Sequence, residues 1–289
     1  MKKEIIIPSS RDMISWAKYV TENRYSTDVT ELVVDFSSCN FIEPAHLVSL
    51  SCLLEEYYQK DVKICFLKSR NPMVNSYLSN ILFWGYWNKD FDRTEYHQNS
   101  KTTNLCLWKL NASMISNYVV YAQKYFEDNF GSQRSFEPLY ISLAELFNNI
   151  VDHSKSNVSG YTTNQFYPQL KELRIAVCDF GIGIPYKINE YLASTGNQTI
   201  LSHEALQKAF QKGFSTKTLP HNRGFGLDTL KTIVQSCGGN LKVISNNVIL
   251  ALSSNGEIKT SYLQHLSQST GIKIKSMYKY KCLKLKLLY

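Results

Sequence analysis

Short apolar runs separated by helix-patterned stretches constrain this chain more than any other feature. Thr30–Phe36, Val62–Leu67 and Leu173–Cys178 are rich in Val, Ile and Leu and are bounded by polar turns, which predicts buried strands. Between and around the first two runs, Asp12–Glu22, Ala45–Gln59 and Asn71–Phe83 carry helical patterning, with a first strand at Glu4–Ile7. Alternation of strand and helix predicts an α/β architecture with a parallel or mixed sheet.

The chain has 289 residues, which at about 150 residues per domain predicts two domains. The segment Asn88–Lys101 is polar, mixed in charge and without hydrophobic period, so the boundary falls there, giving domains at 1–95 and 102–289. A hydrophobic fraction of 44% against 19% charged residues excludes a disordered chain. No apolar stretch reaches the roughly 18 residues that a spanning helix needs. The apolar run after Met1 is too short for a signal peptide, and the expectation is a soluble, cytoplasmic protein without a membrane partner. The seven cysteines are widely spaced without a C-x-x-C pair, as befits buried free thiols.

The second unit is expected to open with a strand at Asn104–Leu110 and helices at Met114–Asn129 and Phe136–His153. After Leu173–Cys178 a long polar stretch runs to Arg223, a helix covers Leu227–Ser236, and Asn240–Ser245 begins a series of short strands. Three segments of this unit carry candidate chemistry. In the first, Ser142–Ser154, Glu145, Asn149 and Asp152 share one helical stripe, with Leu143, Leu146, Phe147, Ile150 and Val151 opposite. A carboxamide oxygen there can ligate Mg²⁺ and a carboxylate can accept a proton, although a solvated helix face has the same pattern. In the second, Leu173–Pro185, a buried strand delivers Asp179 to a turn containing Gly181 and Gly183. This suits an exocyclic amino group and a flat base, and equally an ordinary glycine-rich turn. In the third, Gly213-Phe214-Ser215-Thr216-Lys217 and Arg223-Gly224-Phe225-Gly226-Leu227 place glycines before a helix, where backbone amides favour phosphate. Neither a Walker A loop nor a Rossmann fingerprint is present.

The order and spacing of these segments resemble the GHKL superfamily, the Bergerat-fold ATPases that include histidine-kinase catalytic domains, anti-sigma-factor kinases, Hsp90, gyrase B and MutL. Glu145–His153 is similar to the N box, Asp179–Pro185 to the G1 box, Gly213–Leu227 to the ATP lid and G2 box, and Cys237-Gly238-Gly239-Asn240-Leu241 to the turn before the next core strand. The resemblance covers about residues 104–289 and implies an α/β sandwich with helices on one face of a mixed sheet. It also implies ATP and Mg²⁺ as ligands. By the same resemblance, Asn149 holds Mg²⁺ against the phosphates, Asp179 binds the adenine amino group, and Gly181 and Gly183 shape the base pocket. Ser215, Thr216 and Lys217 belong to the lid, Gly224, Gly226 and Leu227 meet phosphate, and Glu145 is the general base. The family's Gly-Thr pair near the final strand is missing from Met277–Leu283, which leaves the register of that strand open.

The segment Leu32–Leu47 resembles the core of STAS domains, the anti-sigma-factor antagonist fold, over about residues 1–90. Where that family carries a phosphoacceptor serine at a helix start, this chain has Glu43-Pro44-Ala45-His46, which implies a docking module and no phospho-switch. No H-E-x-[RK] helix precedes the second unit, against a self-phosphorylating sensor kinase. Lys273, Lys275, Lys279, Lys281, Lys284 and Lys286 alternate with apolar residues as on an edge strand, and a nucleic-acid surface is the sharper alternative. The functional expectation is an ATPase whose lid state gates a protein partner. The alternatives are an anti-sigma-type serine kinase acting in trans and a nucleotide-stabilised scaffold, with a homodimer left open.

Overall fold

The computed structural model describes residues 1–93, 103–130, 137–153, 156, 158, 160–214, 225–263 and 281–288. In chain order the elements are β1 (Lys2–Ile6), α1 (Met13–Glu22), β2 (Glu31–Asp35), α2 (Pro44–Tyr58), β3 (Lys63–Leu67), α3 (Pro72–Asn80) and α4 (Phe83–Tyr86). There follow β4 (Asn104–Lys109), α5 (Ala112–Phe130), α6 (Glu137–His153), β5 (Tyr161–Tyr167), β6 (Glu172–Asp179), α7 (Ile184–Ser194) and α8 (Ser202–Lys208). The last are α9 (Phe225–Ser236), β7 (Asn240–Ser245), β8 (Val248–Leu252), β9 (Ile258–Tyr262) and β10 (Lys281–Leu288). Among the described residues no helix is long and apolar enough to cross a membrane.

The strands form two sheets. β1, β2 and β3 are parallel in that order. The larger sheet runs β4-β5-β6-β10-β7-β8-β9, antiparallel at every junction. The parallel sheet expected of the first unit is present, but the mixed sheet expected of the second is not: its described strands pair antiparallel throughout, because each neighbour in the sheet runs back against the last. Helices α5, α6 and α9 pack together over one face of the large sheet, around a core containing Leu143, Phe147, Ile175, Val177, Leu230 and Val243.

The other face is covered by the N-terminal unit. α2 meets α1 and β3 on one side and β5, β6 and β10 on the other. Every residue from Pro44 to Glu55 is buried, which is why this helix shows so little amphipathic character. Ser49 is satisfied inside this packing: Trp16 Nε1 donates to Ser49 Oγ at 2.6 Å, and Ser49 Oγ donates to Ala45 O at 3.0 Å. One core joins Leu32, Val34, Leu50 and Leu53 with Tyr161, Ala176, Cys178 and Ile244 of the large sheet.

Two charge clusters sit in this junction. Glu55, fully buried, accepts from Lys109 Nζ at 2.6 Å, from Tyr161 Oη at 2.5 Å and from Arg93. The Arg93 guanidinium also lies over Tyr58, at 4.3 Å from the ring centre, and over Tyr86, at 4.6 Å. Burial alone would raise the Glu55 carboxyl pKa, but the Arg93 and Lys109 charges and the hydrogen bonds from Lys109 and Tyr161 overcome it and hold the pKa at about 2. Toward the other end of α2, Arg174 donates to Glu172 at 2.8 Å and to Glu43, at the start of that helix, at 3.3 Å.

Several sequence expectations change here. The helix expected over Asn71–Phe83 is two, because Leu82 takes a left-handed conformation (φ 61°) and breaks it. The polar stretch before Arg223 holds α7 and α8, and β5 lies in a segment given no element. Val151, expected on the apolar side of its helix, is 37% exposed. The lysine-bearing strand is not an edge: β10 is paired on both sides, with Lys284 opposite Ala176 and Lys242, and Lys286 opposite Arg174 and Asn240. Lys273, Lys275 and Lys279 lie outside the described residues. Cys39, Cys52, Cys106 and Cys178 are buried free thiols as expected, while Cys65 and Cys237 are half-buried.

Candidate functional site

β6 is buried along almost its whole length and ends at Asp179, which is 3% exposed. The carboxylate turns back on its own loop, Oδ1 accepting from Gly181 N at 2.8 Å. An Asx turn of this kind fixes the carboxylate relative to the loop before any ligand arrives. The chain then passes through Gly183, which has φ +82° and caps α7. A Cβ at Gly183 would stand 1.9 Å from Asn246 Oδ1. The glycine is required by that contact as well as by its backbone angle.

Ser245, the last residue of β7, and Asn246, in the turn that leads to β8, brace the Asp179 loop. Asn246 Nδ2 donates to Ile182 O at 3.1 Å, and Ile184 N donates to Ser245 Oγ at 2.9 Å. Asn246 itself is left-handed (φ 55°), a conformation asparagine tolerates. Neither residue stands out in the sequence as a site residue. The available signal was Asn246-Asn247 between two apolar runs, a turn signature that says nothing of what the turn supports.

Glu145 and Asn149 sit one turn apart on α6, both half-buried, while Asp152 is exposed. The opposite side of the helix is core, with Leu143, Leu146, Phe147 and Ile150 buried. Gly160 brings this helix close to the end of β6. A Cβ there would lie 2.9 Å from Ile150 Cγ2 and 3.0 Å from Cys178 O. Ile150 and Cys178 are the chain neighbours of Asn149 and Asp179, so the lack of a side chain at Gly160 lets the two candidate segments converge. Nothing in the sequence around Gly160 announces this.

α6 also packs against α9, which starts at Phe225. Gly226 and Leu227 thus occupy the first turn of α9, the end whose free amides attract anions. Leu227 is half-buried against the helical-face core. Ser215, Thr216, Lys217 and Gly224 lie outside the described residues. Gly213 precedes them with φ +74°. Further along, Lys231 Nζ bonds Phe210 O at 3.0 Å and pairs with Asp228 at 3.1 Å, tying α9 to the segment after α8.

The described residues contain no group of three His, Cys, Asp or Glu side chains able to cage a metal. Asn149 offers a carboxamide oxygen on this helix face, with the Glu145 carboxylate one turn away. A single such oxygen fits Mg²⁺, which commonly takes one or two protein oxygens and completes its shell with phosphate and water. Asn149 would hold the ion and Glu145 would stand beside it. When bound, the ion would neutralise phosphate charge.

Taken together, the arrangement offers a buried carboxylate for a hydrogen-bond donor, a helix N-terminus for an anion, and a carboxamide and carboxylate on the helix that packs against α9. Residues 136–267 match the family model described as histidine kinase-, DNA gyrase B-, and HSP90-like ATPase. The match spans α6 to β9, whereas the sheet it belongs to also contains β4 and β10. No curated protein matches the chain.

Proposed function

We propose that this protein is a Mg²⁺-dependent ATP-binding protein, built on the GHKL-type ATPase domain at residues 136–267, whose nucleotide state governs a protein partner. The observation that carries the reading is Asp179. Its carboxylate is buried at the end of a core strand, oriented by Gly181 N, and stands across Gly160 from the Asn149 helix. A carboxylate so held accepts from an exocyclic amino group such as that of adenine, while the start of α9 takes phosphate. Asn149 is the Mg²⁺ ligand and Glu145 the general base in this reading, with the segment 215–224 as lid.

Asp179→Asn tests the base pocket. An amide can present a donor where the adenine amino group also donates, so ATP affinity should fall by about ten- to a hundredfold. Calorimetric titration with Mg·ATP checks this, and wild-type affinity in the variant would remove Asp179 from the pocket.

A kinase acting in trans and a scaffold without turnover share the same pocket and differ only in the fate of the bound nucleotide. For the N-terminal unit, the docking-module reading is supported by the start of α2, where Pro44 and Ala45 are buried and carry no hydroxyl. Ser49 lies beneath Trp16 and is also buried. Incubation with Mg·ATP should therefore add no phosphate at Ser37, Ser38 or Ser49. Intact-mass measurement checks this, and a stoichiometric gain within residues 37–51 would restore the phospho-switch.

A further inference from the structure

The N-terminal unit reaches the chain on both sides of Asp179. On one side, Cys52 Sγ of α2 donates to Cys178 O at 3.3 Å. On the other, the Arg24 guanidinium lies over the Phe180 ring, 3.9 Å from its centre, and Phe180 is itself buried. Arg24 cannot swing freely. Its Nε donates to Glu56 Oε2 at 2.6 Å and its Nη2 to Glu56 Oε1, a two-point clamp. The same Glu56 carboxylate accepts from Tyr25 N at 3.2 Å, and Tyr57 Oη donates to Arg24 O at 3.2 Å. The guanidinium is thus a fixed flat plate, and Phe180 is stacked on it.

Phe180 is the residue between the Asp179 carboxylate and the Gly181 amide that orients it. Any tilt of Phe180 turns the peptide units that carry both partners of that hydrogen bond. We propose that Arg24, held by Glu56, is a positioning residue for the nucleotide loop, so that the N-terminal unit sets adenine-nucleotide affinity from outside the ATPase domain. The inference rests on the reading of Asp179 as the adenine acceptor. Coupling of this kind is reciprocal: nucleotide that favours the ordered loop also favours seating of the N-terminal unit against it.

The test uses the full chain and Mg·ATP. Arg24→Ala should raise the Kd for ATP by about 3- to 30-fold, the span expected for losing a largely desolvated cation–π contact. Turnover at saturating ATP should stay within about twofold, because the reacting groups are untouched. Arg24→Lys keeps the charge and loses the planar fork, so its affinity should fall between the two. Glu56→Gln, which loosens the clamp and leaves Arg24 in place, should weaken binding in the same direction. Phe66→Leu, in the aromatic cluster with Phe36, Phe83 and Trp84, serves as a control that lowers the stability of the N-terminal unit. It should leave Kd unchanged. Equal ATP affinity in wild type and Arg24→Ala overturns this inference alone, as does a Phe66→Leu variant weakened as much as Arg24→Ala. A wild type that binds no ATP overturns the nucleotide reading and this inference with it.

Discussion

Glu145→Ala should lose about 10²- to 10⁴-fold of turnover while holding ATP within a few-fold of wild-type affinity. A general base acts on the transition state and adds little to ground-state binding. An anion beside a triphosphate offers no attraction whose loss would weaken the complex. Asn149→Ala should behave differently, since it removes the proposed Mg²⁺ ligand. Mg²⁺-dependent binding and turnover should then fall together. Calorimetry with and without Mg²⁺, run beside steady-state phosphate release, separates the two variants. Unchanged turnover in Glu145→Ala, with measurable wild-type activity, would remove Glu145 from the general-base role, whereas a wild type that binds ATP and shows no turnover would move the protein to the scaffold reading.

Glu55→Ala should destabilise the fold by about 3–5 kcal/mol, because it strands the Arg93 and Lys109 charges in a low-dielectric junction. The acid limb of stability tests the same cluster. The Glu55 pKa is depressed in the folded state to about 2, from an ordinary 4.5. A depressed carboxyl contributes stability that is fully present above its unfolded pKa and is lost as pH falls through the folded one. Stability should therefore decline between about pH 4.5 and pH 2, with a shallower decline in Glu55→Gln, which removes the titration and keeps most of the shape. Urea unfolding monitored by circular dichroism across that range checks both expectations. A Glu55→Ala variant within about 1 kcal/mol of wild type would mean that the cluster is solvated and worth little.

How legible each segment was depends on its physics. β7 matches its expected limits, and β2 and β6 differ from theirs by one residue at each end, because short runs dominated by Val, Ile and Leu between polar turns admit few other structures. α6 was readable from its stripe, and with it the shared face of Glu145 and Asn149. β5 was not, because Thr162, Thr163 and Asn164 read as loop. In the fold all three are buried, and the two threonine hydroxyls find partners: Thr162 Oγ1 donates to Ala176 O at 2.9 Å and Thr163 Oγ1 to Leu105 O at 3.0 Å. α7 and α8 escaped notice because their satellite core rests on few residues, chiefly Ile188, Leu192 and Ala205. The site was legible in its carboxylates and glycines and illegible in its supports. Gly160, Ser245 and Asn246 act through positions that only the folded chain brings together. The cover over the back of the sheet was also hidden. A helix apolar on all sides signals burial, but not what lies on its two sides.

The placement of β10 bears on how the protein is made. Residues 172–179 and 240–245 have no ladder between them; each pairs instead with 281–288. During N-to-C synthesis, the ribosome therefore releases two halves of one sheet, each with an open inner edge, before the strand that joins them exists. Such edges are templates for mispairing with other nascent chains. At roughly 5–20 residues per second, the interval between the end of β7 and the end of β10 is a few seconds. For that time α2 has only part of its eventual partner surface. A chaperone that shields strand edges should matter most in that window, and slow translation of the segment between β9 and β10 should lengthen it.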